Sequence, residues 1–223
     1  MLKNFILKPL ANKLFKHTNK QRNKYLSYNS YIRNCKMEEE IKNVLEVLRK
    51  GGTILYPTDT VWGIGCDARN KEAVNKVFKI KQRAEYKSMV TLVCDEKMLN
   101  RYVKEVPAIA WDLIEATETP LTIIYPDARM LAENVIAADG SVGIRLVKDE
   151  FCRNLIHRFG KPIVSTSANI SGEPSPSSFN EIKLDILNKV DYIVNLRKNE
   201  NNNTQPSTII KVALNGEIKI IRK

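Results

Sequence analysis

Short apolar runs of β type alternate with helical stripes along this chain, and that alternation limits it to a sheet covered by helices. Residues 53–56, 88–94, 121–125, 142–147, 162–166 and 192–196 read as strands. Helices are expected between them. From Met37, three glutamates occupy a first turn and Ile41, Val44, Leu45 and Leu48 recur at i, i+3, i+4 and i+7, until Gly51-Gly52 stops the pattern. Asn70 can cap a second helix over Ala73, Val74, Val77 and Phe78, running out near Arg83. Further helices are expected over 95–103, 107–117, 151–159 and 179–190. The last residues, STIIKVALNGEIKIIRK, read as a hairpin with Asn215-Gly216 as its type I′ turn. The resulting class is α/β or α+β with a mixed sheet. No apolar run approaches the roughly 18 residues that a membrane helix needs.

The net charge of +11 invites a nucleic-acid reading, but the charge is unevenly placed. Residues 1–36 hold nine of the 36 basic residues and none of the 25 acidic ones, so residues 37–223 carry only +2. The leader has three readings: untranslated codons before a true start at Met37, which its Lys/Asn/Tyr/Ile bias favours, a targeting segment, or a basic arm that touches RNA. The expected organisation is therefore a leader over 1–36 and one domain over 37–223. Cys35, Cys66, Cys94 and Cys152 are far apart, with no CxxC and no histidine at ligand spacing. That argues against zinc and for free thiols in a reducing compartment.

Three clusters carry the candidate chemistry. The first, Pro57 to Ala68 (PTDTVWGIGCDA), follows a strand and supplies two glycines, hydroxyls at Thr58 and Thr60, and Trp62, which could cover a base or pack the core. It contains no P-loop. The second is Lys81-Gln82-Arg83 with Lys87, either ordinary cations at a helix end or a clamp on phosphates. The third is STSANISG from Ser165 to Gly172 with Ser175 beyond, either a polar turn or a row of neutral hydrogen-bonding groups on a ligand. Arg145 inside VGIRLV is the sharper anomaly, because a guanidinium among strand apolar residues calls for an anion, internal or bound.

Together these elements resemble the YrdC/Sua5/TsaC family of threonylcarbamoyl-AMP synthases over about residues 40–222, carried by PTDTVWGIGCDA, the KxR pair Lys81/Arg83, and GKPIV-STSAN, with VGIR, PLTII and PSTII in support. The resemblance implies a twisted mixed parallel/antiparallel sheet with flanking helices around a concave basic cavity. It implies synthesis of L-threonylcarbamoyladenylate and pyrophosphate from L-threonine, bicarbonate and ATP with Mg²⁺, for threonylcarbamoyladenosine modification of tRNA in the cytoplasm. Separate proteins would then transfer the group to tRNA, and direct tRNA contact stays possible. Lys81 and Arg83 would be the catalytic cations. Lys81, Arg83, Lys87, Ser141, Ser167, Asn169, Ser175 and Ser207 would bind ATP. Thr58, Thr60, Arg145 and Ser165 would bind threonine, and no protein side chain would hold a metal. The sequence departs from the family pattern at Ala84, Ser88 and Glu118, which bears on loop shape, and its extent resembles the short single-domain type.

That chemistry suits the composition. The attacking N-carboxylate is already an anion, so no strong base is required. Only two histidines occur, and His157 has no evident partner. What the reaction requires is compensation of charge between that anion and a triphosphate. Two other classes compete: a non-catalytic double-stranded RNA or tRNA binding module, and a carbamoyl-transfer maturation factor, whose extra zinc-finger and acylphosphatase parts are missing from this sequence.

Overall fold

The structure, a computed structural model, describes residues 31–83, 89–200 and 206–223. It divides into two units, Met1–Glu39 and Glu40–Lys223, and the larger contains the whole sheet. In the larger unit residues 40–49 form α1, burying Ile41, Val44, Leu45 and Leu48, the expected stripe. Its Glu40 carboxylate accepts from Tyr192 Oη and the Asn195 backbone N–H, both at 3.0 Å.

Nine strands follow: β1 Ile54–Tyr56, β2 Gly63–Asp67, β3 Val90–Val93, β4 Leu121–Tyr125, β5 Val142–Leu146, β6 Ile163–Ser167, β7 Tyr192–Ile193, β8 Thr208–Val212 and β9 Ile218–Arg222. The sheet order is β7-β1-β2-β6-β3-β5-β4-β8-β9. Pairs β1/β7, β3/β5 and β4/β8 are parallel and the rest antiparallel, so the sheet is mixed. The helices are α2 Lys71–Lys81, α3 Glu96–Tyr102, α4 Ala108–Ala116, α5 Glu150–Phe159 and α6 Leu184–Leu187. Local signals set their ends: Asn70 Oδ1 accepts from the Ala73 N–H to cap α2, Asp149 Oδ1 caps α5, and Gly160 closes α5 at φ +69°.

Four expectations change. The stretch from Gly63 to Asp67 is a buried strand rather than loop; its two glycines hid it, because a strand so closely approached has no side-chain alternation to read. The helix expected over 179–190 is a 3₁₀ turn, Phe179–Glu181, and the one-turn α6, separated by extended Ile182; this break lets Ile182 and Ile186 both turn inward. The strand expected over 192–196 is two residues long, since Arg197 takes a left-handed φ of +54° and turns the chain away. The last hairpin is not type I′, which needs two positive φ values. Only Gly216 has one; the Ala213 N–H donates to the Glu217 carbonyl while the Ala213 carbonyl accepts the Gly216 N–H. Trp62 is fully buried against Phe179, with ring centroids 5.0 Å apart, so it packs the core.

Candidate active site

Strand β1 ends in a turn that hydroxyl groups hold. Thr58 Oγ1 donates to the Val61 carbonyl at 2.7 Å and accepts the Thr60 N–H at 3.1 Å. Its one proton being used, the 2.9 Å contact between the two threonine hydroxyls is donated by Thr60. Thr60 Oγ1 in turn accepts from Arg145 Nη1 at 3.2 Å, and Arg145 Nη2 lies 3.1 Å from Asp59 Oδ1. The buried Arg145 of β5 thus has an internal carboxylate, while its Nε is buried without a partner. The turn is fixed from outside by Arg197, which donates to the Thr58 carbonyl at 3.0 Å and to Asp149 Oδ2 at 2.8 Å.

Alongside this turn runs β6. Its Ser167, Thr166 and Ser165 pair with Gly63, Ile64 and Gly65 of β2. The glycines make room: a Cβ at Gly63 would lie 3.0 Å from Ser165 Oγ, and one at Gly65 would lie 2.8 Å from the Tyr56 ring and the Val164 carbonyl. A hydroxyl-bearing strand can therefore lie against the turn only because β2 is nearly bare at these positions.

One cavity of about 200 Å³ gathers these groups. Thr58, Thr60, Ser165, Thr166, Ser167, Ser175 and Ser207 supply seven hydroxyls, Arg83, Arg145 and Arg222 supply three guanidinium groups, and no carboxylate is among the described lining residues. Arg83 follows α2, where Gln82 takes φ +50° and turns the chain. Burial pulls the Arg83 pKa down, and burial followed by the charge of Arg145 does the same to Arg222. Clustered cations with depressed pKa values are the electrostatic signature of a place that would gain by holding anions.

The remaining candidates, Ser207 apart, are not among the described residues that line this cavity. Lys81 is almost fully buried and is not among the residues that line the cavity. Its ammonium donates to the carbonyls of Ser167 at 2.5 Å and Asn169 at 2.7 Å, with Asn169 Oδ1 at 3.4 Å. Burial, then the charge of Arg83, lowers its pKa to about 8. Asn169 donates to the carbonyls of Ile170 and Glu173, so it shapes the loop after β6. Ser141 donates to Asp139 Oδ1 and lines a second, more apolar groove with Ile124, Val142 and Lys219, which shares Met89, Val90 and Ile209 with the cavity. Lys87, Ala84 and Ser88 lie outside the described residues. Ser207 sits at the rim, its hydroxyl 2.8 Å from Thr122 Oγ1 and its carbonyl accepting from Arg222 Nε and Nη2.

Sequence reading had not singled out Arg222, Asp59 or Arg197. Arg222 looked like one more surface cation in IKIIRK, and only the β8/β9 register, which sets it against Ile209, brings it to the cavity.

The family model for Sua5/YciO/YrdC proteins, described as "Telomere recombination", matches residues 46–223. A Pseudoalteromonas translucida protein named threonylcarbamoyl-AMP synthase is 32% identical over 184 residues, covering 81% of this chain and 97% of its own. One of the same name from Vibrio cholerae is 31% identical over 159 residues, 70% of this chain and 85% of its own. Among solved structures, P. abyssi Sua5 complexed with L-threonine superposes with a TM-score of 0.69 at 27% identity over 77% of this chain. This chain spans half the length of that one.

Proposed function

This chain belongs to the Sua5/YciO/YrdC family, and on that premise we propose that it joins L-threonine, bicarbonate and ATP into L-threonylcarbamoyladenylate, releasing pyrophosphate, for threonylcarbamoyladenosine formation in tRNA. One observation carries the proposal: three arginines and seven hydroxyls from segments far apart in sequence meet in one cavity free of carboxylates among its described residues. The threonine in the P. abyssi neighbour supports it. A binding module without catalysis would not account for the names of the relatives.

Threonine's amine and bicarbonate condense with loss of one water to give an N-carboxylate, which attacks the α-phosphate and expels pyrophosphate. The unpartnered Arg145 Nε, Ser165 and the Thr58/Thr60 turn supply the groups for threonine's carboxylate and hydroxyl. Arg83 and Arg222, with Lys87, Ser167, Ser175 and Ser207, are the groups for the phosphates. Ser141 lines the adjoining, more apolar groove, and that surrounding supports assigning it to the nucleoside end. Lys81 and Asn169 act from behind the site: three carbonyl-type acceptors gathered on one ammonium hold the loop after β6 in the shape that presents Ser165 and Ser167. Fixed cations aimed at developing charge are worth about 2–4 kcal/mol each in such sites.

Mg²⁺ would arrive on the triphosphate, because hydroxyls and guanidinium groups do not form a magnesium-binding set; bound there, it neutralises phosphate charge. The catalytic domain in this reading is 37–223, working in the cytoplasm beside separate transfer proteins. Among the described residues no helix is long and apolar enough to cross a membrane.

The test is pyrophosphate release by the purified chain. It should require threonine, bicarbonate and ATP together; release that ignores threonine would sink the reading.

A further inference from the structure

We propose a second site, for a divalent cation of the zinc class, at Cys94, Asp95 and His157; it is independent of the reaction described above. Cys94 and Asp95 follow directly on β3, and His157 stands in the last turn of α5. The fold closes the distance that the sequence leaves between them: one ligand atom of each residue lies within 4.8 Å of the other two. A tetrahedral ion with bonds of about 2.0–2.3 Å holds its ligands about 3.3–3.7 Å apart. Cys94 Sγ and Asp95 Oδ2 are already 3.3 Å apart. The imidazole stands on an exposed helical position within 4.8 Å of both, so closing to ligand spacing calls for a side-chain adjustment and not a backbone one.

The carboxylate is held in place for this role. Asp95 Oδ1 caps α3 by accepting the Met98 N–H at 2.7 Å, and that bond leaves Oδ2 turned to the thiol. Sulfur, imidazole nitrogen and one carboxylate oxygen select a zinc-class ion over magnesium or calcium, and thiolate plus carboxylate balance a dication. Three protein ligands would leave one position of a tetrahedral ion for water, and Cys94 and Asp95 border a surface hollow, with Lys148 and Arg153, that shares no residue with the catalytic cavity. A cation between Cys94 and Asp95 would ligate both and release the thiol proton. It would join the β3–α3 corner to the end of α5.

Cobalt(II) is the probe, titrated into the full chain carrying His17→Ala and Cys35→Ser, which removes the other histidine and the exposed thiol. One equivalent should bind with a near-ultraviolet thiolate-to-cobalt band. Adding Cys94→Ser should abolish the band, and adding His157→Ala should weaken binding at least about tenfold, with circular dichroism unchanged in both. No band, or a band and affinity that survive both substitutions, would overturn the site.

Discussion

Strands β2 and β6 in the middle of the sheet and the β8–β9 hairpin at its edge both reach the same cavity, by opposite means. Every residue of β2 is buried, and its glycines let Ser165 and Tyr56 come within van der Waals contact of its backbone. Every residue of β9 is exposed, including Ile218, Ile220 and Ile221, yet this strand delivers Arg222 to the rim. The first region positions hydroxyls by tight packing, where a single methyl group has no room. The second positions one long side chain by register alone. The contrast says which wall of the site is intolerant of substitution and which is intolerant only at one residue.

The largest effect should come from the charge that both regions surround. Arg145→Ala should lower kcat/KM for threonine by about 2–4 kcal/mol, a factor of roughly 30 to 1000, measured by pyrophosphate release; a loss under threefold would remove Arg145 from the threonine site. Gly65→Ala comes next. Its Cβ meets the Tyr56 ring and the Val164 carbonyl at 2.8 Å, so denaturant unfolding should show about 1–3 kcal/mol of destabilisation. Equal stability would mean the β2–β6 wall is looser than its geometry.

Arg197→Ala breaks the tie from Asp149 to the Thr58 carbonyl. Because Arg197 is partly solvated, the expected loss of stability is about 1–2 kcal/mol. KM for threonine should rise more than kcat falls, since the Thr58 turn loosens while the phosphate cations stay; the reverse split would place Arg197 outside threonine binding.

Lys81 gives a test by pH. Its folded pKa is about 8 against an ordinary lysine near 10.4. Between those values the unfolded chain binds more protons, so this group makes stability rise as pH increases through that window and takes stability away below it. Lys81→Met should remove that positive contribution from the slope, seen as a difference between the two proteins' stability-versus-pH curves. Parallel curves would mean Lys81 titrates normally. The smallest effect belongs to the edge: Ile220→Ser, at a side chain 56% exposed, should change stability by no more than about 0.5 kcal/mol.

The same contrast explains what could be read before the structure. Elements with strong local signals were legible: the Asn70 cap, the 41–48 stripe, and an arginine stranded in VGIRLV. Thr58, Thr60 and Ser165 stood out because hydroxyls crowded the ends of apolar runs, whereas Ser207 came only from the family resemblance. What depends on contacts between distant segments was not legible. That Arg145 has Asp59 beside it, that the Lys81 ammonium is held by backbone carbonyls, and that Arg222 reaches Ser207 all follow from strand order and register. The β2 strand escaped notice for a related reason: glycines that permit close packing leave no hydrophobic pattern behind.

The most direct test of a cavity that unites two anionic substrates is mass spectrometry of its product. Incubated with ¹³C-bicarbonate, L-threonine, ATP and Mg²⁺, the enzyme should yield threonylcarbamoyl-AMP carrying one ¹³C, with none formed when threonine is omitted. AMP or pyrophosphate appearing without a threonine-containing nucleotide would contradict the account.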